Sequence, residues 1–583
     1  MRFLRWLSWA AVAVVLVLLL CQEWFGPDIW YHLYLGGRVA QTLTAQPADR
    51  LVLQQPGFIN LYWLFQLVVR AAFGLGGIPA VSLLFLALWA AILAVWLRTA
   101  GILRIGAIGP WLALAVILVC QVRFEPRPEI FSYLFLAIQI HWLATWEMDR
   151  AASPWALGRF AAVEALWANM HGYFAFGPLV VGLRLATAPP GRRGWRGLWA
   201  LLGLTLLASV ASPFGLHNWT EVGVLWRFFG AMHHQIREFL PPGERPQVDL
   251  WQIRLFWACW LAVAGAGLAR ARRAERSDLF GLLLAAVGLY LSTQAVRNIP
   301  LLMLFGAPLL GIVLPGLPRM RRGTPARLAL IATGAALSAW IVTGGFDRFI
   351  RTAGSFGLRE APLAFPAGFA DYARATGFAG SILTTGMDGG YLEFQCPTLR
   401  PYADSRFTDV ALVDEFFKAV RRPAEFRQLQ NRIGFDAVLL PIVDSREVIV
   451  SLLRDPDWKL AYADPARAFL VSRQSPAGAA AAVREPLFYG GENLTIPRYA
   501  LAATEWVTVL MQVNDRDNLL RALRQLAAAP KVPSGLVEVA LDHGLKNNDA
   551  EVATAARALS PKMVSLRPID RDTVDWLLSR PSP

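Results

Sequence analysis

Long apolar runs occupy the first three-fifths of the chain and restrict its fold more than any other feature. A helix needs about 20 apolar residues to cross roughly 30 Å of hydrocarbon, and runs of that order recur along residues 1–346. Only 17% of the 583 residues are charged, against about 25% in ordinary globular domains. The four cysteines are too few for a disulfide framework. A small soluble enzyme, a disordered protein and a secreted disulfide scaffold are therefore excluded.

Hydropathy predicts about eleven membrane-spanning helices. They lie near residues 6–22, 78–97, 108–121, 129–146, 154–169, 172–188, 197–213, 251–269, 279–295, 298–317 and 327–345. The first follows Arg2 and Arg5 and looks like a signal peptide, but no cleavage site with small residues follows Leu20. We interpret it as an uncleaved anchor.

Arginine clusters between these spans indicate the orientation. With a cytoplasmic N-terminus, every cytoplasmic loop carries arginine, as the positive-inside rule requires. The clusters are Arg98 and Arg104; Arg150; Arg192, Arg193 and Arg196; Arg270, Arg272, Arg273 and Arg276; and Arg319, Arg321, Arg322 and Arg327. Much of the net charge of +14 is then a topological signal, so no nucleic-acid partner is expected.

The composition predicts a polytopic α-helical membrane protein with a soluble C-terminal part. We expect a transmembrane domain at 1–346, an extracytoplasmic α/β domain at 347–490 and an α-helical, repeat-like tail at 491–583. Predicted strands lie at 381–385, 391–395, 436–441 and 468–472, with an Asp388-Gly389-Gly390 turn between the first two. Helices are predicted near 409–420 and 445–454, and antiparallel helical pairs follow from about Pro497.

The first predicted outer loop places a carboxylate beside aromatic residues, in the stretch Asp28-Ile-Trp30-Tyr31-His32. In a helix, Asp28 and His32 project from one face, next to Trp30 and Tyr31, which favour the membrane interface. A carboxylate there can take the proton of an acceptor hydroxyl. Asp28 is equally suited to capping the following helix, and the spacing leaves both roles open.

A second outer loop concentrates charge in the stretch Arg123-Phe-Glu125-Pro-Arg127-Pro-Glu129. Such residues at a membrane edge are costly unless they are paired or functional. The planar fork of arginine is suited to gripping phosphate, and Arg297, at a tight turn between two later spans, completes the set. An interfacial salt-bridge cluster is the alternative, and the sequence leaves it open.

Histidines mark other outer turns. His171 lies in the turn 167–172, where a lone histidine more often has a structural role. His233 and His234, followed by Glu238, could bind a divalent metal. Adjacent side chains on an irregular loop rarely point at one ion, so a metal is one of two alternatives. The sequence contains no phosphate-cradling glycine loop and no nucleophile elbow.

Taken together, these stretches resemble the GT-C class of membrane glycosyltransferases, which use polyprenyl-phosphate-linked sugars. The resemblance is carried by Asp28-Ile-Trp-Tyr-His32, Arg127-Pro-Glu-Ile-Phe-Ser-Tyr133, Trp167-Ala-Asn-Met-His-Gly172, Ser212-Pro-Phe-Gly215, Glu238-Phe-Leu-Pro-Pro242, Gly389-Gly-Tyr-Leu392 and Asp404-Ser-Arg406. They occur in order over about residues 20–475 and look like a bacterial branch related to protein O-mannosyltransferases and lipid A aminoarabinose transferases. The two-residue acidic signature of those enzymes is incomplete here.

The resemblance implies inverting transfer of a sugar from a polyprenyl-phosphate donor to an acceptor at the outer face of the bacterial cytoplasmic membrane. Asp28 matches the acidic residue that acts in this class as base or metal ligand, and His32 would orient the acceptor or share the proton. Arg123, Arg127 and Arg297 would bind the donor phosphate. Contacts to the sugar or acceptor are expected from Trp30, Tyr31, His171 and Glu238. The implied partners are the lipid-linked sugar and membrane lipid. The one cofactor that the resemblance allows is a divalent metal.

Two other classes of function stay open. A transporter or flippase of a lipid-linked saccharide needs polar residues deep in the spans, where the sequence has few beyond Gln139, His141 and Glu164. A membrane-anchored assembly platform would bind an envelope protein through the C-terminal helices.

Overall fold

The computed structural model is helical through almost all of the apolar region. The structure describes residues 2–24, 26–48, 50–53, 58–232, 236–242, 244, 250–272, 278–316, 323–346, 356–361, 363–407, 409–492, 494 and 497–564. The chain divides into two compact units. The first comprises Met1–Pro47 and Gly57–Glu360, and the second comprises Ala48–Pro56 and Ala361–Pro583.

The first unit is a bundle of helices, and each predicted span falls on one of them. Its helices are α1 (Arg2–Leu20), α2 (Asp28–Thr42), α3 (Trp63–Thr99), α4 (Gly109–Cys120), α5 (Glu129–Ala144), α6 (Pro154–Ala168), α7 (Phe176–Thr187), α8 (Arg193–Ser209), α9 (His217–Met232), α10 (Leu250–Ala271), α11 (Leu279–Gln294), α12 (Ile299–Val313) and α13 (Gly323–Val342).

Length and apolar character confirm a membrane protein. Five helices in the described part are long and apolar enough to cross a bilayer: Arg2–Leu20, Trp63–Thr99, Trp251–Ala271, Val296–Val313 and Gly323–Val342. Further apolar helices are shorter, including Gly109–Arg123, Glu129–Ala144, Gly172–Thr187 and Leu279–Gln294. The total of about eleven spans therefore stays a prediction.

Helix α3 is broken by its own sequence. Gly77 has φ 61° and ψ −146°, a conformation that costs glycine little and other residues much. Pro79 follows within one turn, where it cannot donate a backbone hydrogen bond. The break separates 78–99, which contains the predicted span, from an additional helical segment that begins at Trp63.

The second unit contains a five-stranded sheet in the order β2-β1-β3-β5-β4. Its strands are β1 (Gly380–Thr384), β2 (Leu399–Pro401), β3 (Ala437–Pro441), β4 (Trp458–Ala463) and β5 (Arg467–Ser472). Strand β1 pairs in parallel with β2 and β3, whereas β5 is antiparallel to both β3 and β4. Two-residue strands β6 (Val532–Pro533) and β7 (Met563–Val564) pair separately.

Helices surround this sheet and continue to the end of the described chain. They are α14 (Ala367–Thr376), α15 (Gly386–Gln395), α16 (Val410–Ala419), α17 (Pro423–Ile433), α18 (Arg446–Leu453), α19 (Pro476–Ala480), α20 (Pro497–Gln512), α21 (Arg516–Leu526), α22 (Ser534–Lys546) and α23 (Ala550–Leu559). The helices predicted near 409–420 and 445–454 correspond to α16 and α18.

The strand predicted at 391–395 is wrong, because these residues close helix α15. The Thr385 side chain accepts a hydrogen bond from the Asp388 amide at 3.3 Å and caps the helix. Gly389 lies inside the helix, where a Cβ would collide with the carbonyl oxygen of Ala403. The glycine therefore permits close packing rather than the turn that the sequence suggested.

Buried ion pairs hold the loops at the carboxyl ends of these strands. The Arg467 guanidinium donates to both carboxylate oxygens of Asp388, at 2.9 and 2.7 Å, and to the carbonyls of Leu363 and Ala364. Arg406 pairs with Asp404 at 2.6 Å and with Glu393 at 3.1 Å. The Gly389–Leu392 and Asp404–Arg406 stretches thus have a structural role within the second unit.

The tail helices share a hydrophobic core with the sheet. One cluster of buried residues extends from strand residues such as Val438 into α20 and α23. Trp506 of α20 is fully buried, and its indole donates to the Asp464 carbonyl at 3.0 Å. The sequence predicts a separate tail from residue 491, and in the structure the tail and the sheet belong to one compact unit.

A short segment from the loop between α2 and α3 completes the edge of the sheet. The Val52 amide donates to the Pro401 carbonyl at 2.9 Å, and the Leu53 amide donates to the Tyr402 carbonyl at 2.8 Å. Nothing in the hydropathy pattern indicates this pairing, which joins residues almost 350 positions apart.

Candidate functional site

The predicted site residues lie on segments that connect the helices of the first unit. Asp28 is the first residue of α2, and Arg127 precedes α5 by two positions. Short 3-10 turns carry Arg123 (Gln121–Arg123), Glu238 (Arg237–Phe239) and Arg297 (Val296–Asn298). The Val296 amide donates to the Leu240 carbonyl at 2.9 Å and ties the last two turns together. Side chains distant in sequence therefore meet at the ends of helices.

Glu238 is the centre of the cluster. Its Oε2 accepts hydrogen bonds from Arg123 Nη1 at 2.7 Å and from Arg127 Nη1 at 2.8 Å, and its Oε1 is 4.0 Å from Arg297 Nη1. Burial alone would raise the pKa of Glu238, but the Arg127, Arg123 and Arg297 guanidinium groups outweigh it and hold the pKa well below its usual range. Glu238 is therefore an anionic counter-ion to the arginines.

Arg123 and Arg127 each pair with more than one carboxylate. Besides Glu238, Arg127 pairs with Asp28 Oδ2 and with Glu125 Oε2, each at 3.1 Å. Arg123 also contacts Glu129, and both of these side chains are almost fully buried. In the structure, Arg123 and Arg127 therefore belong to a salt-bridge cluster, which is the alternative that the sequence left open.

Arg297 has different surroundings. Its guanidinium carbon lies 4.6 Å from the Phe229 ring centroid, 5.2 Å from that of Phe239 and 5.9 Å from that of Tyr173. Among the described residues it makes no hydrogen bond to a carboxylate, and Glu238 approaches it only to 4.0 Å. Aromatic faces stabilise the cation without occupying its N–H donors. Unlike Arg123 and Arg127, Arg297 therefore donates no hydrogen bond to a carboxylate of the described residues.

Asp28 stands where a carboxylate is electrostatically favoured. It lies in the first turn of α2, and the positive end of a helix dipole stabilises negative charge. Its side chain is 23% exposed, and Oδ2 is 3.1 Å from Arg127 Nη1. Gly26 allows this loop to approach the cluster, since a Cβ there would lie 2.7 Å from Glu125 Oε2. Asp28 is thus a partly exposed carboxylate in contact with the ion-pair cluster.

The structure encloses Trp30, Tyr31 and His32 in helix packing. Trp30 is fully buried and Tyr31 is 7% exposed, so neither ring offers the open face that stacking on a sugar requires. The His32 ring, also fully buried, lies 4.0 Å from that of Tyr31 and 4.8 Å from that of Phe65. The cause is the close approach of α2 to α3 at Gly36, where a Cβ would collide with the Gln66 carbonyl.

His171 belongs to a polar network inside the first unit. The Trp167 indole donates to Ser132 Oγ at 2.7 Å, and Ser132 Oγ lies 2.9 Å from His171 Nδ1. The Tyr173 amide also donates to Nδ1, at 3.2 Å. Burial, with lesser contributions from Arg297 and Arg123, lowers the pKa of His171 well below its usual range. His171 is therefore neutral and carries its proton on Nε2.

Sequence reasoning missed Glu221 and Tyr62. Glu221 is the one carboxylate in helix α9 and is 5% exposed, and it makes no hydrogen bond or ion pair with any described residue. Burial raises its pKa to about 7. Burial also raises the pKa of Tyr62. The charge of Arg297 lowers this pKa, whereas the charges of Glu221 and Asp28 raise it further. The one signal in the sequence was that Glu221 is the single acidic residue of its helix, and that signal alone does not indicate a site.

We expect Glu221→Gln to stabilise the protein at pH 8 but not at pH 4. A carboxyl whose pKa is higher in the folded than in the unfolded state destabilises the fold as pH rises above the unfolded value of about 4.3. This cost is complete above the folded value of about 7. Removing it gains at most about 4 kcal/mol. Thermal unfolding of the two proteins at both pH values measures the difference; equal melting temperatures at pH 8 would contradict it.

The described residues do not fit a metal site. Within that part of the chain, no three His, Cys, Asp or Glu side chains converge as ligands. The carboxylates of Asp28, Glu125 and Glu238 contact arginine instead. The predicted candidates His233 and His234 lie outside the described residues.

An apolar cavity lies beside the arginine cluster. It is lined by residues of α1, α3, α4, α5 and α12, among them Leu16, Trp89 and Leu304. Phe124 and Tyr133 also line it; Phe124 follows Arg123 directly, and the Tyr133 hydroxyl donates to the Arg297 carbonyl at 3.2 Å. An apolar space and a charged cluster are therefore neighbours in one unit.

No protein-family model and no curated protein matches the sequence. A cryo-EM structure of the arabinofuranosyltransferase AftD from Mycobacteria is 16% identical, with a TM-score of 0.45 over 80% of this chain and 40% of that chain. A mutant of AftD is 18% identical, with a TM-score of 0.47 over 80% and 41%. The crystal structure of the apo oligosaccharyltransferase from Archaeoglobus fulgidus is 10% identical, with a TM-score of 0.45 over 82% and 75%.

This chain spans about 40% of the length of the mycobacterial enzyme. All three TM-scores lie below 0.5.

Proposed function

We propose that this protein is a membrane glycosyltransferase that moves a sugar from a polyprenyl-phosphate donor to an acceptor hydroxyl at the outer face of the cytoplasmic membrane. The observation that supports it most is the convergence of Asp28, a partly exposed carboxylate at a helix N-terminus, with an arginine cluster at the ends of apolar helices. A base beside cationic donors is the combination that sugar transfer from a lipid phosphate requires.

The proposed reaction is a single displacement at the anomeric carbon. Asp28 takes the proton of the acceptor hydroxyl as its oxygen forms the new bond to that carbon. The bond from the anomeric carbon to the phosphate oxygen breaks, and both of its electrons leave with the polyprenyl phosphate. Attack from the opposite face inverts the configuration. Phosphate is a good leaving group, so no general acid is needed.

The arginines would stabilise the charge that develops on the departing phosphate. Arg297 is the proposed direct ligand because Glu238, the carboxylate that approaches it among the described residues, stays 4.0 Å away and accepts no hydrogen bond from it. Arg123 and Arg127 contribute through Glu238, which they share and which fixes their positions. The adjacent apolar cavity, lined by Phe124 and Tyr133, indicates the apolar side of the cluster, along which the prenyl chain would lie.

Polar residues within the helices do not favour the transporter alternative. Alternating access needs a polar site near the midplane of the membrane. Gln139 and Glu164 are both fully buried and hydrogen-bond each other at 2.9 Å. The two side chains therefore pair with each other inside the helix packing.

The test is transfer of radiolabel by the purified protein in lipid nanodiscs. Polyprenyl phosphates carrying labelled mannose, arabinofuranose or aminoarabinose are supplied with a cell-envelope extract as the source of acceptors. We expect label from at least one donor to move to an acceptor, with slow release to water when the extract is omitted. Empty nanodiscs are the control. Intact donors throughout the panel would contradict the proposal, and protein-dependent movement of intact donor across vesicles would indicate transport instead.

A further inference from the structure

Glu221 lies on the face of α9 that packs against the candidate site. Residues 218, 221 and 225 are three and four positions apart and therefore share one face of the helix. The Asn218 side chain donates to the Ala168 carbonyl at 2.9 Å. Leu225 Cδ1 lies 3.7 Å from the position of a Cβ at Gly172. Glu221, between them, faces the turn that carries His171.

Glu221 and Asp28 are related through electrostatic interactions with a shared neighbour, Tyr62. Both carboxylates are near enough to Tyr62 for their charges to act on its phenol, as is the Arg297 guanidinium. The Tyr62 ring is 5.7 Å from that of His171. Glu221 therefore belongs to the same group of side chains as the proposed base and the proposed phosphate ligand, although α9 is remote from both in sequence.

A buried carboxyl group without a partner is costly. Four carboxylates of the cluster, those of Asp28, Glu125, Glu129 and Glu238, contact arginine. Glu221 has no such contact among the described residues, although it is only 5% exposed. A carboxylate with both oxygens available is well suited to accepting hydrogen bonds from the hydroxyls of a sugar.

We propose that Glu221 is a hydroxyl-binding carboxylate of this site, which contacts a hydroxyl of the transferred sugar or of the acceptor. The inference rests on the proposed function and adds to it a residue that selects a polyhydroxylated substrate. Asp28 remains the base, and Glu221 positions the sugar or the acceptor against it.

The experiment compares wild-type protein and Glu221→Gln with the labelled polyprenyl-phosphate sugar that the wild type turns over best. A hydrogen bond to a charged group is lost, so we expect turnover to fall by about 10- to 100-fold. Affinity for polyprenyl phosphate without a sugar should not change, because Arg297 is intact. If the hydroxyl belongs to the donor sugar, release to water falls by the same factor. If it belongs to the acceptor, only transfer falls, and the KM for the acceptor rises.

Two further variants separate binding from folding. Glu221→Asp keeps the charge and should recover part of the activity. Glu147→Gln makes the same chemical change at an exposed side chain that pairs only with Arg150 among the described residues, and should behave as the wild type. Wild-type rates in Glu221→Gln would overturn this inference alone. An equal loss of affinity for sugar-free polyprenyl phosphate would also overturn it. An inactive wild-type protein would contradict the proposed function, and this inference with it.

Discussion

Asp28→Asn is expected to lower the rate of sugar transfer by about 100- to 10,000-fold, the range for loss of a general base. Asparagine has nearly the same shape as aspartate but cannot take a proton from the acceptor hydroxyl. The fold should tolerate the change, because the Asp28 side chain is 23% exposed and Arg127 keeps Glu125 and Glu238 as partners. The measurement is the initial rate of label transfer at saturating donor, together with the melting temperature.

Glu125→Gln is the matched control for this prediction. Glu125 pairs with the same arginine as Asp28 does, at the same distance of 3.1 Å and with the same 23% exposure of its side chain. If Asp28 only balances the charge of Arg127, the two variants should lose similar activity. We expect Glu125→Gln to lose less than about tenfold, in line with the modest value of partly exposed ion pairs. Full activity in Asp28→Asn would rule out Asp28 as the base.

Arg297→Met is expected to lower the donor turnover by about 100- to 1,000-fold, the usual effect of removing one donor to a developing negative charge. Methionine preserves contact with the aromatic rings of Phe229, Phe239 and Tyr173 but offers no N–H group. The KM for the donor should rise as well, since the phosphate is present in the ground state. Steady-state kinetics and binding of polyprenyl phosphate measure the two effects.

Arg159→Met is the control for an arginine that lies over an aromatic ring. Arg159, on α6, is not part of the cluster. Its guanidinium carbon lies 4.4 Å from the ring centroid of Trp142, on α5. We expect the kinetics of Arg159→Met to equal those of the wild type. Its melting temperature should fall slightly, by about as much as that of Arg297→Met. Arg297→Lys should keep part of the activity, because charge is retained and the planar fork is lost. Unaltered donor affinity in Arg297→Met would remove Arg297 from the phosphate site.

Hydropathy predicted the helices of the first unit well, because crossing apolar surroundings leaves a backbone no alternative to internal hydrogen bonding. Alternation of the spans also placed Asp28, Arg127 and Arg297 at the same ends of helices, and the structure brings their segments together. Charge in the loops was therefore informative about proximity. Whether an arginine donates to a carboxylate or lies among aromatic rings depends on Glu238 and on the aromatic residues of other turns. The spacing of residues in the sequence does not predict these contacts.

Predictions from short windows were less accurate. Residues 391–395 alternate in polarity as a strand does, but the cap at Thr385 and the packing at Gly389 make them helical. The preference of Trp30 and Tyr31 for an interface was outweighed by the close contact of α2 with α3 at Gly36. Glu221 was missed because its significance comes from what surrounds it, and a single glutamate in a helix has no signature of its own.

The pairing of residues 52 and 53 with the edge of β2 has a consequence for biosynthesis. These residues leave the ribosome almost 350 residues before their partners at 401 and 402, which is a delay of roughly 20 to 70 s at 5 to 20 residues per second. During that time the segment must remain unpaired and available on the same side of the membrane as the later sheet. A fragment that begins at residue 361 would lack the segment and leave the edge of β2 uncovered, and uncovered edges promote aggregation.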